Sequence, residues 1–291
     1  MGHREHHSPE ARVAGNPHSH ASDIVYILEN SGRTWTVCKR MLVSMKKVFD
    51  HAFGKRIIDV NPAFGIDLKA LMGKRPPVRK RLMLTEGELR ALLPGIDDKI
   101  GRGNGPMLHV LLATWVRTNE LVMAKKALVD VRRGSWYVQE EAVKTRDGFL
   151  VPLVPIVTAW VKELNALSGD SEWRLPVRIG KRRNRLGETH VGNTTLWAAI
   201  ARGFERSRLT MPYFTPHDTR STAKSHMRNM GISKEISELA LNHALKGMEG
   251  IYDVREEIPE RREAMELWAQ FIADCSKGGE SNVIPMNRKA G

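Results

Sequence analysis

Phe214-Thr-Pro-His217-Asp-Thr-Arg220 sets an imidazole and a guanidinium three positions apart at the expected start of a helix. On a helix that spacing turns His217 and Arg220 toward one neighbourhood, beside backbone N–H groups that themselves favour anions. Phosphate chemistry is the first thought, yet the usual nucleotide-hydrolysis signatures are missing: there is no G-x-x-x-x-G-K-[ST] and no G-x-G-x-x-G. No H-E-x-x-H occurs, so zinc proteolysis is not expected either. Cys38 and Cys275 are the only cysteines and make no C-x-x-C, which argues against a disulfide framework and a cysteine zinc site. His3, His6, His7, His18 and His20 crowd the N-terminus at irregular spacing. With almost nothing apolar around them, they suit adventitious metal binding rather than a built site.

Other segments extend the pattern. Thr114-Trp-Val-Arg117-Thr-Asn-Glu120-Leu121 resembles a T-G-L-R-x-S-E-L box. Lys144 precedes the turn Arg146-Asp147-Gly148 and the strand-like Val151-Pro152-Leu153, as a hairpin lysine precedes V-P-L. His217 and Arg220 match H-x-x-R, Leu241-Asn242-His243 resembles an L-G-H box, and Tyr252 follows His243 by nine residues. In this order and with these gaps, the chain from about Thr34 to Phe271 resembles the tyrosine recombinases of the phage-integrase family, of the prophage and genomic-island type. Among the departures from the usual pattern, Trp115 and Asn242 stand where glycine is usual, and Asn119 where serine is usual.

The resemblance implies a reaction and its residues. Tyr252 would attack a phosphodiester to give a 3′-phosphotyrosyl enzyme and a free 5′-hydroxyl, keeping the bond energy for religation, with no metal, ATP or other cofactor. Arg117 and Arg220 would grip the non-bridging oxygens of the transition state with bidentate forks, and His243 would add a third donor. Lys144 would protonate the departing 5′-oxygen. His217 would serve as general base or positioning group for Tyr252, whose ordinary pKa of about 10 leaves it protonated at neutral pH. Glu120 would brace the arginine pocket. Read from the residues alone, Arg117 is better taken as a helix-end surface arginine, and Lys125, Lys126 and Arg146 are cations near Lys144. Tyr137 reads as a strand residue, Tyr213 precedes the His217 box and Tyr26 lies in the weakly patterned N-terminus, which leaves Tyr252.

These residues need elements to hold them. Cys38, Met41, Met45, Val48, Phe49 and Ala52 recur at helical spacing, with Lys39, Arg40, Lys46 and Lys47 mostly on the other side, as a solvated face or a DNA contact. Lys74-Arg75-Pro-Pro-Val-Arg79-Lys80-Arg81 reads as an extended basic strap. Thr85 and Glu88 form a capping box behind it, with Leu84 and Leu89 placed as a hydrophobic staple. Beyond it, helices are expected near 107–116, 118–127, 156–167, 194–206, 221–230, 234–245 and 260–275. Strand-like stretches at 134–139, 142–145 and 149–153 interrupt them. The fold class is mainly α (α+β): a helical DNA-binding region joined by a basic linker to a mostly helical catalytic domain with a small antiparallel sheet. The expected segments are a disordered 1–22, a partial helical DNA-binding domain 23–73, the linker 74–83, the catalytic domain 84–275 and a flexible tail 276–291.

Composition agrees. Lys plus Arg number 46 against 33 for Asp plus Glu in 291 residues, a formal +13 that points to a polyanionic partner. The longest uncharged apolar stretches, Met107–Val116 and Phe149–Val161, fall short of the roughly 18 residues of a spanning helix, so no membrane is expected and a cytoplasmic, nucleoid-associated protein is. The expected partners are double-stranded DNA attachment sites, with Lys39, Arg40, Lys46, Lys47, Lys74, Arg75, Arg79, Lys80 and Arg81 on phosphates, and accessory DNA-bending proteins. Ala264, Leu267, Trp268, Phe271 and Ile272 form one apolar stripe, read as the surface that joins a homotetramer on DNA. Against a recombinase stand two rivals: a truncated prophage remnant that only binds DNA, and a nicking enzyme resembling a type IB topoisomerase.

Overall fold

The computed structural model describes residues 20–143, 148–177, 187–242 and 259–278. The chain divides into two compact units, Met1–Lys80 and Arg81–Gly291. The described part of the first is helical: α1 (Ala21–Asn30), α2 (Trp35–Gly54) and α3 (Leu68–Met72). Ile24 and Leu28 of α1, one turn apart, pack with Cys38 and Leu42 of α2 and with Ala63 and Leu68. Helix α1 begins at Ala21, within the segment expected to be disordered. Cys38 is fully buried in this core.

The second unit is mainly helical with one small antiparallel sheet. Its helices are α4 (Glu86–Leu92), α5 (Ile96–Ile100), α6 (Gly105–Thr114), α7 (Thr118–Val122), α8 (Pro155–Ser168), α9 (Thr195–Glu205), α10 (Asp218–Asn229), α11 (Lys234–Ala240) and α12 (Pro259–Lys277). Helix α4 starts at the expected capping box: the Thr85 N–H donates to Glu88 Oε2 at 2.7 Å and the Glu88 N–H to Thr85 Oγ1 at 3.3 Å. Leu84 and Leu89 are both fully buried beside it. Every residue of α6, a mostly apolar helix, is buried, and α8, α10 and α12 pack around it.

The sheet differs from expectation. Its order is β1 (Val129–Asp130), β2 (Ser135–Val138), β3 (Phe149–Pro152), with Ser135 opposite Pro152 and Val138 opposite Phe149. Residues 142–145 do not pair as the expected strand up to Val143; Glu140–Ala142 instead forms a 3-10 turn, and 144–147 lie outside the described residues. A 3-10 turn here lets Ala142 and Val143 bury their side chains while the chain leaves the ladder. On its other side β2 pairs with β1, Val129 opposite Trp136 and Asp130 opposite Ser135.

The apolar stripe of α12 is not a free surface. Ala264, Trp268, Phe271 and Ile272 are buried in the unit's own core, and Trp268 Nε1 donates to the Leu112 carbonyl of α6 at 2.9 Å. The expectation that this stripe meets a second copy is therefore corrected: α4, α6, α8, α10 and α11 of the same unit cover it. Periodicity marks a buried face but does not say what buries it.

Candidate active site

Helix α6 ends because Trp115 turns left-handed, with φ 57° and ψ 10°. That conformation closes a helix and is the one glycine adopts freely. The chain then extends through Val116 to Arg117, the N-cap of α7. Glu120, at the third position of α7, accepts the Arg117 backbone N–H on Oε2 at 2.6 Å and Arg117 Nη1 on Oε1 at 2.8 Å. The Glu120 carboxylate is wholly buried, whereas the Arg117 side chain is 29% exposed. One carboxylate thus fixes both the backbone and the guanidinium of Arg117 while leaving part of that guanidinium at the surface.

Arg220 comes from the first turn of α10 and is 5% exposed. Its Nη1 donates to the Trp115 carbonyl and its Nη2 to the Leu241 carbonyl just past α11, so one side chain joins the ends of three helices. Burial pushes its pKa down to about 10; Arg117 adds to the lowering, and Glu120 and Glu238 oppose it. Arg220 remains a cation at neutral pH. Two guanidinium groups close enough to destabilise one another form a site that an anion relieves.

His217 is the N-cap residue of α10 and is exposed. Partial burial lowers its pKa first, then the cations Arg81 and Arg220, against Asp218, which raises it; Arg117 lowers it further. The imidazole is neutral at neutral pH and able to accept a proton. Asp218, fully buried, orders this turn: it accepts from the Thr215 N–H at 2.8 Å, Thr215 Oγ1 at 2.7 Å and the Leu82 N–H at 3.2 Å.

The last bond belongs to a seam. Ser221 Oγ donates to the Leu82 carbonyl at 2.8 Å, the Leu84 N–H donates to Thr222 Oγ1 at 3.0 Å, and His226 Nε2 donates to the Leu84 carbonyl at 2.8 Å. Residues 82–84 therefore run along α10, and the seam brings Arg81 into the field of His217. Sequence reading assigned Arg81 to the strap; Thr215-x-x-Asp218, a capping-box spacing, was the one available sign that this helix start is tightly held. The carbonyls of Trp115 and Leu241 carry no side-chain signature and could not be found by motif.

Of the expected catalytic residues, Arg117, Glu120, His217 and Arg220 come together. Lys144, His243 and Tyr252 lie outside the described residues. Asn242, which precedes His243, has φ 48°. Both departures from glycine, Trp115 and Asn242, thus occupy left-handed backbone, so the turn geometry is kept at a conformational cost that asparagine bears more easily than tryptophan. At the other border of the gap, Arg261 Nη1 in the first turn of α12 donates to the Leu150 carbonyl of β3 at 2.9 Å.

The expected DNA-binding cations other than Arg81 belong to the first unit. Lys39, Arg40 and Lys47 are exposed on α2 and Lys46 is half-buried; Lys74, Arg75, Arg79 and Lys80 are exposed in an irregular stretch. Lys39 Nζ lies 5.7 Å and Arg75 Cζ 5.9 Å from the Trp35 ring centre, within cation–π range. Trp35 Nε1 donates to the Gly73 carbonyl at 3.2 Å, which ties the start of the strap to α2. Among the described residues no cluster of His, Cys, Asp or Glu could hold a metal ion, and no helix is long and apolar enough to cross a membrane.

Comparison with known proteins places these features. The family model described as "Phage integrase family" matches residues 83–257. Tyrosine recombinase XerD of Pseudomonas putida is 26% identical over 214 residues, 70% of this chain and 66% of that protein. XerD of Yersinia pestis is 26% identical over 221 residues, 72% of this chain and 68% of that protein. The matches thus span about two thirds of these relatives' length. Among solved structures, the Tn1549 transposon integrase in complex with circular intermediate DNA has a TM-score of 0.57 at 15% identity, covering 88% of both chains. A lambda integrase dimer bound to a COC′ core site has a TM-score of 0.55 at 17% identity, covering 82% of both. At such identities these structures establish a shared fold.

Proposed function

This chain belongs to the phage integrase family, the tyrosine recombinases, and from that premise we propose that it breaks and rejoins DNA strands site-specifically, integrating or excising a prophage or genomic island. The observation that carries the reading is the convergence of Arg117, Arg220 and a neutral His217 at one place, braced by the buried Glu120. Tyr252 Oη forms the new bond to phosphorus as its proton passes to His217. The P–O5′ bond breaks, and Lys144 gives a proton to the departing oxygen. Arg117, Arg220 and His243 hold the non-bridging oxygens, where charge gathers in the transition state. Reversal with a different 5′-hydroxyl completes strand exchange, so no energy source is consumed. The partner is double-stranded DNA at attachment sites, its phosphates met by the cations of α2 and the strap, and the assembly is a homotetramer on DNA joined by contacts other than the α12 stripe. DNA-bending proteins assist it, and it acts at the nucleoid in the cytoplasm.

The test is covalent capture. A nicked suicide duplex is expected to trap a 3′-linked protein–DNA adduct that EDTA does not affect and that Tyr252→Phe abolishes while binding persists. An adduct that survives Tyr252→Phe overturns the assignment. Strand transfer between two duplexes then separates a recombinase from a protein that only binds or only nicks.

A further inference from the structure

Asn119 lies between Arg117 and Glu120 in the sequence, in the first turn of α7. Its Nδ2 donates to the Ala142 carbonyl at 2.9 Å, across 23 residues of sequence, and lies 3.3 Å from Met123 Sδ. Ala142 closes the 3-10 turn after β2, and Ala142 and Val143 are each 4% exposed. Lys144 is the next residue. Two chain steps separate the bonded carbonyl from Lys144, a reach of about 7 Å at most, so wherever α7 goes the approach to Lys144 is tethered to it.

We propose that Asn119 is a positioning residue for strand cleavage: its hydrogen bond to Ala142 couples the turn that presents Arg117 to the segment that leads into Lys144. This rests on the reading of Lys144 as the donor to the leaving oxygen. Arg117 holds the phosphate; Lys144 must meet the 5′-oxygen of that same phosphate. A direct bond between their two supports limits how far the oxyanion grip and the start of the segment that carries the proton donor can separate. A misplacement of about 1 Å in such a pair costs up to about a hundredfold in rate.

Leaving-group chemistry tests it. In ordinary DNA the departing 5′-alkoxide needs the proton from Lys144. With sulfur at the 5′-bridging position the P–S bond breaks instead and a thiolate departs; thiols are far stronger acids than alcohols, the cysteine thiol ionising near pKa 8.5, so no proton is required. Single-turnover cleavage of nicked suicide duplexes with oxygen or sulfur at that position is measured for the parent, Asn119→Ala, Asn119→Asp and Lys144→Ala. Asn119→Asp keeps the size of the side chain and suits a helix first turn, but it lacks the donor. Both Asn119 variants are expected to cleave oxygen substrate about tenfold to a hundredfold more slowly than the parent and sulfur substrate within about threefold of it, as Lys144→Ala also recovers on sulfur. Equal losses on both substrates, or no loss on oxygen, overturn the proposal. If Lys144→Ala itself fails to recover on sulfur, the reading of Lys144 falls and the proposal with it, and that arm alone shows it.

Discussion

At the scale of single residues, Glu120 and Asp218 do work that catalytic motifs only hint at. Each is a buried carboxylate that accepts from a backbone N–H and a side chain three residues earlier, so each converts a helix start into a rigid mount. Removing the Arg117 guanidinium would strand the buried Glu120 carboxylate, which costs up to about 3–5 kcal/mol. In the proposed role of general base His217 would act only when unprotonated, and its pKa is held below the ordinary 6.5 by partial burial and by Arg81 and Arg220. Cleavage should therefore fall on the acid side, below pH 6.5, as His217 takes up a proton. Arg81→Ala removes one of the cations that lower this pKa, so the acid limb should move to higher pH. Single-turnover cleavage rates against pH check this, and an acid limb that stays in place separates Arg81 from His217.

At the scale of elements, the strap divides in two. Arg81 enters the catalytic unit on the seam of residues 82–84, whereas Lys74 to Lys80 belong to the first unit and are exposed. If Lys74 and Lys80 each neutralise a phosphate, replacing both with alanine should flatten the log–log dependence of binding on salt by about 1.8, at about 0.9 per contact. Binding measured from low to moderate salt reads the slope directly, and an unchanged slope assigns those lysines to the connection alone. The capping box at Thr85 was legible because local chemistry sets helix starts. Residues 142–143 were not, because Ala-Val-Lys-Thr alternates like a strand while the ladder is decided by which strand lies opposite β2.

At the scale of the molecule, α12 is a core helix. Its aromatic face stacks on α10: the His226 ring lies 5.6 Å from Trp268 and 5.0 Å from Phe271, centre to centre. Trp268→Ala should then cost about 3–5 kcal/mol of stability and lower the thermal midpoint of the free protein, visible by calorimetry without DNA. A variant of unchanged stability that fails only in synapsis would restore the stripe to an intersubunit role. Acid should weaken the same core. Burial pushes the His109 pKa from 6.5 down to about 4, against the Gly105 carbonyl and Asp97. Above pH 6.5 folded and unfolded chains both hold it neutral; as pH falls from there toward 4, the unfolded chain binds a proton that the folded one refuses, and stability drops by up to about 3 kcal/mol. Denaturant midpoints at pH 7 and 5 should show the loss, and His109→Gln should reduce it. By itself the sequence determined the family, the order of its boxes, the mainly helical class, the basic charge and most helix starts, because these depend on residue types at short, regular spacing. Tertiary structure alone decided that Arg220 is held by the carbonyls of Trp115 and Leu241, that Arg81 stands beside His217, that Asn119 reaches Ala142, and that α12 buries its stripe at home. Each of these joins residues far apart in the chain, often through backbone oxygens, and no local pattern encodes which distant surface a face will meet.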